Sequence, residues 1–178
     1  MRKLLKVLGA VVVCLVLLLV TLRATGLEPT LCDSAAVGWQ CRAPGLWLRG
    51  DVVTAPVTDW SFTDKIQTIK LETREWFGLP HSVSIYCFSY NGELYVTSVY
   101  RKGIEYPHGR HWNENVARDP RVRLKIGDKV YERTLLHVTD PALHDVLVKV
   151  KAKKYSRQVI GPNSYVNVFH VVDPRVTN

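Results

Sequence analysis

The chain has 178 residues, 24 of them Lys or Arg and 16 Asp or Glu, for a formal charge of +8. With 47% hydrophobic and 22% charged residues it is neither disordered nor collagen-like, and its length allows one globular domain with an appendage rather than two independent domains. Four basic residues (Arg2, Lys3, Lys6 and Arg23) flank an apolar run, so from residue 24 onward the balance is 20 to 16, only +4, which gives no ground for a nucleic-acid surface.

Val7 to Leu22 carries no charge, and Leu4 and Leu5 extend the run past Lys6. A helix rising about 1.5 Å per residue needs about 20 residues to cross the hydrocarbon core. Residues 4–22 meet that length when Lys6 snorkels to the headgroups. The pattern predicts a membrane anchor over residues 1–23; a cleaved signal peptide is the alternative, although Ala24-Thr25-Gly26 is a poor cleavage site. Three basic residues before the span and one after predict a single-pass inner-membrane protein with the remainder exported to the periplasm, or a secreted chain if the segment is a signal.

Residues 24–60 form a connecting segment rich in Trp, Gly and Pro without sustained periodicity; Trp39, Trp47 and Trp60 are expected to pack on the domain or the bilayer surface. Cys32 and Cys41 are nine apart and are expected to close a small disulfide in an oxidising compartment. Cys14 reads as an apolar residue of the span, and Cys87 as a buried free thiol in a strand.

The domain occupies residues 61–178. Strands are predicted over 66–73, 83–90 and 93–99, with Asn91-Gly92 joining the second and third as a hairpin. A short helix over 111–118 stops at Asp119-Pro120. Val122, Leu124 and Ile126 alternate with Arg121, Arg123 and Lys125, giving a strand with one buried face that turns at Gly127-Asp128 into a strand over 129–138. Asp140-Pro141 starts a second helix, with Leu143, Val146, Leu147 and Val150 opposite Lys149, Lys151, Lys153 and Lys154. A last strand runs over 165–172. Six strands with two short helices in this order predict a small antiparallel barrel.

No phosphate-binding glycine loop, HExxH or GxSxG motif occurs, and no acid or cysteine completes a metal site at the pair His108 and His111. Arg121, Arg123 and Lys125 alternate on a strand without interleaved aromatics, which is not a nucleic-acid pattern. Between residues 81 and 126 lie hydroxyls at a strand end (Thr97, Ser98), three cations (Arg101, Lys102, Arg110) and the start of a short helix. That combination suits a phosphate or other anion; a solvated loop is the plain alternative.

The order of apolar strand, Asn-Gly, LYVTS, basic loop and WNENVARDPRVRLKIGDKVY resembles the flavin- and deazaflavin-binding split-barrel proteins, closest to the deazaflavin-dependent nitroreductase-like branch, over residues 65–173. The resemblance implies a six-stranded split barrel, a homodimer, and FMN or a deazaflavin as cofactor. In matching positions Thr97 and Ser98 face its phosphate, Arg101, Lys102 and Arg110 supply charge, and Trp112 and Asn113 close the cleft. The implied activity is a membrane-tethered reductase of the nitroreductase or quinone-reductase type with an apolar substrate. No acid or base is assigned; Tyr95, Tyr100 and Tyr106 are candidate proton donors. The alternative is a non-catalytic barrel that holds an apolar ligand, haem or a protein partner. Here the turn before Pro80 reads Arg74-Glu75-Trp76-Phe77-Gly78-Leu79, where relatives carry a Gly- and cation-rich turn and a basic residue after the proline.

Overall fold

The chain forms strands β1 (Asp51–Val53), β2 (Thr68–Arg74), β3 (Pro80–Tyr90), β4 (Glu93–Arg101), β5 (Arg121–Ile126), β6 (Lys129–His137) and β7 (Ser164–Val172), and α-helices α1 (Arg2–Thr25), α2 (His111–Arg118) and α3 (Pro141–Lys154). The strands make one sheet in the order β1-β6-β5-β2-β3-β4-β7, and a further pairing of β6 with β7 closes six of them into an antiparallel barrel. This computed structural model describes residues 2–30, 43–156 and 161–174. Cys32, Cys41 and Trp39 lie outside the described residues.

The predicted local signals form as expected. Asn91 (φ 53°) and Gly92 (φ 80°) make the two-residue turn between β3 and β4, both in the left-handed region that a hairpin with right-twisted strands requires. Asp140 caps α3 by accepting the amide of Ala142 at 3.0 Å, with Pro141 as the first helical residue. The strand that sequence reading missed is β1. It lies parallel to Lys129–Tyr131 of β6, while Thr134–His137 of the same edge pair with β7. One strand edge is thus shared between the closure of the barrel and a short cover strand, which leaves little of it open.

Alternation along the strands sorts the core into two. Ile85, Cys87, Leu94, Val96, Leu124 and Phe169 fill the barrel with Trp60 and Trp112, whereas Phe88, Tyr95, Val166 and Val168 face outward and are covered by Leu147 of α3. Each fully buried side chain of this size contributes roughly 1.5–3 kcal/mol. Cys87 is free and buried, and burial pushes its thiol up to about 11.

The predicted two-sided pattern of α3 needs correction. Val146 is exposed and Lys151 is 1% exposed. Tyr86 of β3 and Tyr155 beyond the helix bring their rings to 5.8 and 5.6 Å from the Lys151 ammonium, so cation–π contact and a packed aliphatic stem replace water there. Lys154 also turns inward, donating to the carbonyls of Thr63 (2.8 Å) and Cys87 (2.7 Å).

Over its 24 residues α1 is exposed, with a mean hydropathy of 2.8 in its apolar window, and is long and apolar enough to cross a membrane or to serve as a signal sequence. Its Thr21 and Thr25 hydroxyls donate to the carbonyls four residues back at 2.8 Å, which satisfies them without water. Past the helix the chain is tied to the barrel. Leu27 donates to the Trp47 carbonyl (3.2 Å) and accepts from Leu46 (2.6 Å), and the Glu28 carboxylate bridges Lys70 of β2 and Lys125 of β5.

Candidate functional site

Strands β3 and β4 part company halfway along. They pair from Tyr90↔Glu93 to Tyr86↔Thr97 and no further. Beyond that point β3 stays with β2, whereas Ser98 to Arg101 of β4 pair only with β7. The open edge of β3 is caught again at Ser82, which exchanges two backbone bonds with Gly45 at 2.8 and 2.9 Å. A Cβ on Gly45 would sit 2.5 Å from Ser82 Oγ and 2.2 Å from the Leu27 carbonyl, so this close approach requires glycine. Between the two pairings a cleft of about 390 Å³ remains, bordered by Thr30, Ala43 and Pro44 on one side and by the first residues of α2 on the other.

The cleft is polar in an unusual way. Thr97 Oγ1, Ser98 Oγ and His81 Nδ1 are buried at its border and have no hydrogen-bond partner among the described residues; Ser82 Oγ nearby has none there either. Thr97 and Ser98 are neighbours on β4, so they point to opposite faces, and both reach the cleft because no strand continues the sheet there. An orphaned buried hydroxyl costs about 1–3 kcal/mol, which a bound polar group recovers. Arg110 stands at the extended residue before α2 and donates Nε and Nη2 to the Val99 carbonyl at 3.1 and 2.9 Å, taking the acceptor that a continuing β3 would have used. Trp112 is buried, its ring 5.2 Å from that of Phe169.

A second group borders the same cleft. His111 Nε2 lies 3.2 Å from the Glu75 carboxylate, which is buried, and the His111 and His81 rings are 5.1 Å apart. The turn at the end of β2 positions Glu75 through Glu75 N–H to Leu79 O (2.8 Å), and Asn115 Nδ2 donates to Glu75 Oε1 at 3.2 Å. Burial, reinforced by the neighbouring His111, lowers the pKa of His81 below the ordinary imidazole range, and Glu75 opposes that shift.

Of the residues proposed from sequence, Thr97, Ser98, Arg110 and Trp112 come together at this cleft. Asn113 is fully buried in the first turn of α2, with both amide atoms unpaired among the described residues, and does not border the cleft. Arg101 and Lys102 are exposed at the end of β4 and in the following turn, outside the lining. Tyr95 stacks on Phe88 outside the barrel, Tyr100 accepts from the Asn167 amide, and Tyr106 stacks on His137 at 4.2 Å; none borders the cleft. Sequence reading assigned no role to His81, His111, Glu75 or Asn115. The one local hint is the position of His81, directly after the proline that ends the turn.

No protein-family model matches the chain, and no curated protein matches it in sequence. Several solved structures are similar to it. They include an F420-H2 dependent reductase, FDR-A (23% identity over 60% of this chain and 94% of that one, TM-score 0.45). A putative 5-nitroimidazole antibiotic resistance protein from Bacteroides thetaiotaomicron is 13% identical over 73% of this chain and 88% of its own, with a TM-score of 0.47. A conserved hypothetical protein from Mycobacterium tuberculosis is 21% identical over 72% and 86%, with a TM-score of 0.48.

Proposed function

We propose that the protein is a membrane-tethered reductase of the nitroreductase or quinone-reductase type, acting as a homodimer on the exported side of the membrane. It would bind a flavin or deazaflavin nucleotide in the cleft between β3 and β4. The observation that carries this reading is the set of orphaned hydroxyls, Thr97 Oγ1 and Ser98 Oγ, at the border of a cleft that also receives Arg110 and the start of α2. Two neutral donors, a guanidinium and a helix N-terminus suit a phosphate.

A bound cofactor of this class supplies hydride transfer, and the protein supplies binding, orientation and electrostatics. Thr97 and Ser98 would donate to its phosphate. Arg110, held on the Val99 carbonyl, brings positive charge without being free to move away. Trp112, fixed against Phe169, forms the floor. A tether at α1 suits an apolar substrate that partitions into the bilayer.

The test is a titration of the purified full chain in detergent with FMN and with riboflavin, which lacks the phosphate. FMN is expected to bind more tightly, and Thr97→Val to lower FMN affinity by about 10- to 150-fold, a loss of ~1.5–3 kcal/mol for a hydrogen bond to a charged group. Riboflavin affinity should hardly move. Equal affinity for the two, or an equal loss on mutation, overturns the phosphate assignment. A second reading, a barrel that binds a ligand or partner without redox chemistry, draws support from Glu75. Its buried carboxylate sits one imidazole away from the cleft and opposes an anion there. A colourless protein that binds neither flavin nor a deazaflavin favours this second reading.

A further inference from the structure

A second cavity, of about 510 Å³, lies where α1 leaves the barrel. Arg23 of the last helical turn borders it together with Trp47, with Arg74 at the end of β2 and with Gly78 of the following turn. Arg121, Arg123 and Arg133 add three more arginines, against the carboxylates of Glu72 and Glu132. Glu72 is already engaged by the Leu48 amide (2.6 Å) and Arg123 (3.2 Å), and Arg121 is held by Asp119 at 2.8 Å. The cavity is therefore cationic on balance. Among the described residues, Arg23 and Arg74 have no carboxylate at ion-pair distance; the Arg23 guanidinium lies over the Trp47 ring at 5.8 Å.

Beside this cavity stand the most exposed aromatic side chains of the barrel. Trp76 is 78% and Phe77 55% exposed, their rings in edge contact at 5.2 Å. Two backbone bonds close their turn, Glu75 N–H to Leu79 O at 2.8 Å and Gly78 N–H to Glu75 O at 2.9 Å, so the pair is presented on a fixed tip. The exit of α1 is fixed as well. Ala24 accepts from the Arg49 guanidinium, Gly26 donates to Leu22 O at 2.8 Å, and Glu28 bridges Lys70 and Lys125. The tip thus holds a set orientation relative to the helix.

We infer that this face of the barrel rests on the bilayer that α1 crosses, with Trp76 and Phe77 in the interfacial layer and the phosphate of an anionic phospholipid headgroup in the arginine-lined cavity. The inference depends on the reading of α1 as a membrane anchor. Indole and phenyl rings favour the headgroup boundary, and arginines near the surface attract anionic lipid. Charge and apolar character match that surface on adjoining parts of one face, continuous with the end of the helix. The arrangement has a consequence for the cleft. His81 follows Phe77 by four residues, a separation of at most about 14 Å, so the border of the cleft lies close to the tip.

The test uses the full chain reconstituted in nanodiscs of a POPC–POPG mixture, with and without brominated phosphatidylcholine. The parent protein is compared with Trp76→Tyr by tryptophan fluorescence. Bromolipid is expected to quench the parent more than the variant, and Arg74→Glu is expected to reduce that difference. Added inorganic phosphate should not reduce it, since the site takes a lipid-borne phosphate. Equal quenching of parent and Trp76→Tyr, in protein that resists alkaline extraction, overturns the docking while leaving the anchor intact. Release by alkaline extraction overturns the anchor and the docking with it. Shielding of Trp76 from water without bromolipid quenching, together with cross-linking through the tip, overturns the docking in favour of a contact between two copies.

Discussion

Tyr86 and Thr97 are the last pair that joins β3 to β4, and the contents of the cleft follow from the parting of the strands there. Had the pairing run on, the Val99 carbonyl would face a β3 amide instead of Arg110. Ser98 would lie under a closed sheet. The orphaned hydroxyls and the arginine are thus two results of one break in the ladder.

Thr97→Val provides a stability test of that arrangement. The hydroxyl is buried without a partner among the described residues, and valine fills nearly the same volume. Removing an unsatisfied buried polar atom should leave the melting temperature unchanged or raise it, by up to about 1–3 kcal/mol in unfolding free energy. A loss of stability in a thermal melt would show that Oγ1 has a partner inside the protein, and the case for a ligand contact would fall with it.

Lys151→Met should stabilise the protein by about 1 kcal/mol at neutral pH, because a buried cation is exchanged for an apolar chain of similar length and the contact with Tyr86 and Tyr155 is only partly lost. Burial lowers the Lys151 pKa from its ordinary 10.5. The unfolded chain then holds the proton more tightly, so the parent is penalised below its folded pKa and the penalty fades as pH rises to 10.5. The gap between parent and variant in urea unfolding should therefore narrow in alkaline buffer. A gap that stays constant from neutral to alkaline pH would mean that the ammonium is solvated.

The parts of this fold that were legible in the sequence are those set by local chemistry. Asn91-Gly92 specifies a turn by its own dihedral freedom, and Asp140-Pro141 starts α3 whatever lies beyond. The three residues of β1 carry no readable alternation, since their strand state comes from pairing with β6. Lys151 reads as solvated until the rings of Tyr86 and Tyr155, far apart in sequence, are brought over it. Thr97, Ser98 and Arg110 stand out in the sequence as hydroxyls and a cation next to a helix start, and the resemblance adds only the expectation of a cofactor phosphate. His81 and His111 are thirty residues apart, and only the meeting of the β2–β3 turn with α2 makes them neighbours.

Thiol counting tests the proposed link between Cys32 and Cys41. Denatured without reductant, the protein should expose two thiols, Cys14 and Cys87, and after reduction four. The closed loop would contribute about 2–3 kcal/mol before strain is subtracted. In the native state Cys87 should stay unlabelled at pH 8, since it is buried and its thiol is pushed up to about 11. Four thiols before reduction would dispose of the disulfide and weaken the case for an exported domain.

The pair of imidazoles makes the sharpest electrostatic prediction. Burial, then the charge of His111, lowers the His81 pKa, while Glu75 raises it. Replacing either neighbour should therefore move His81 in opposite directions: His111→Asn upward toward the ordinary 6.5, and Glu75→Gln further downward. Histidine-selective NMR of the full chain in detergent reads both midpoints directly. The linkage to stability follows from the same sign. Because the folded pKa lies below 6.5, the unfolded chain takes up the proton first as pH falls. The contribution of neutral His81 is complete above 6.5 and is lost as pH drops through that value toward the folded pKa, so part of the acid destabilisation should begin near 6.5 and vanish in His81→Gln. Glutamine keeps a polar side chain at the same border, which separates the loss of a titrating group from the loss of a packed one. A His81 midpoint at 6.5 that neither substitution moves would mean that the ring faces water rather than the cleft, and that the imidazole pair has no electrostatic coupling to offer a bound anion.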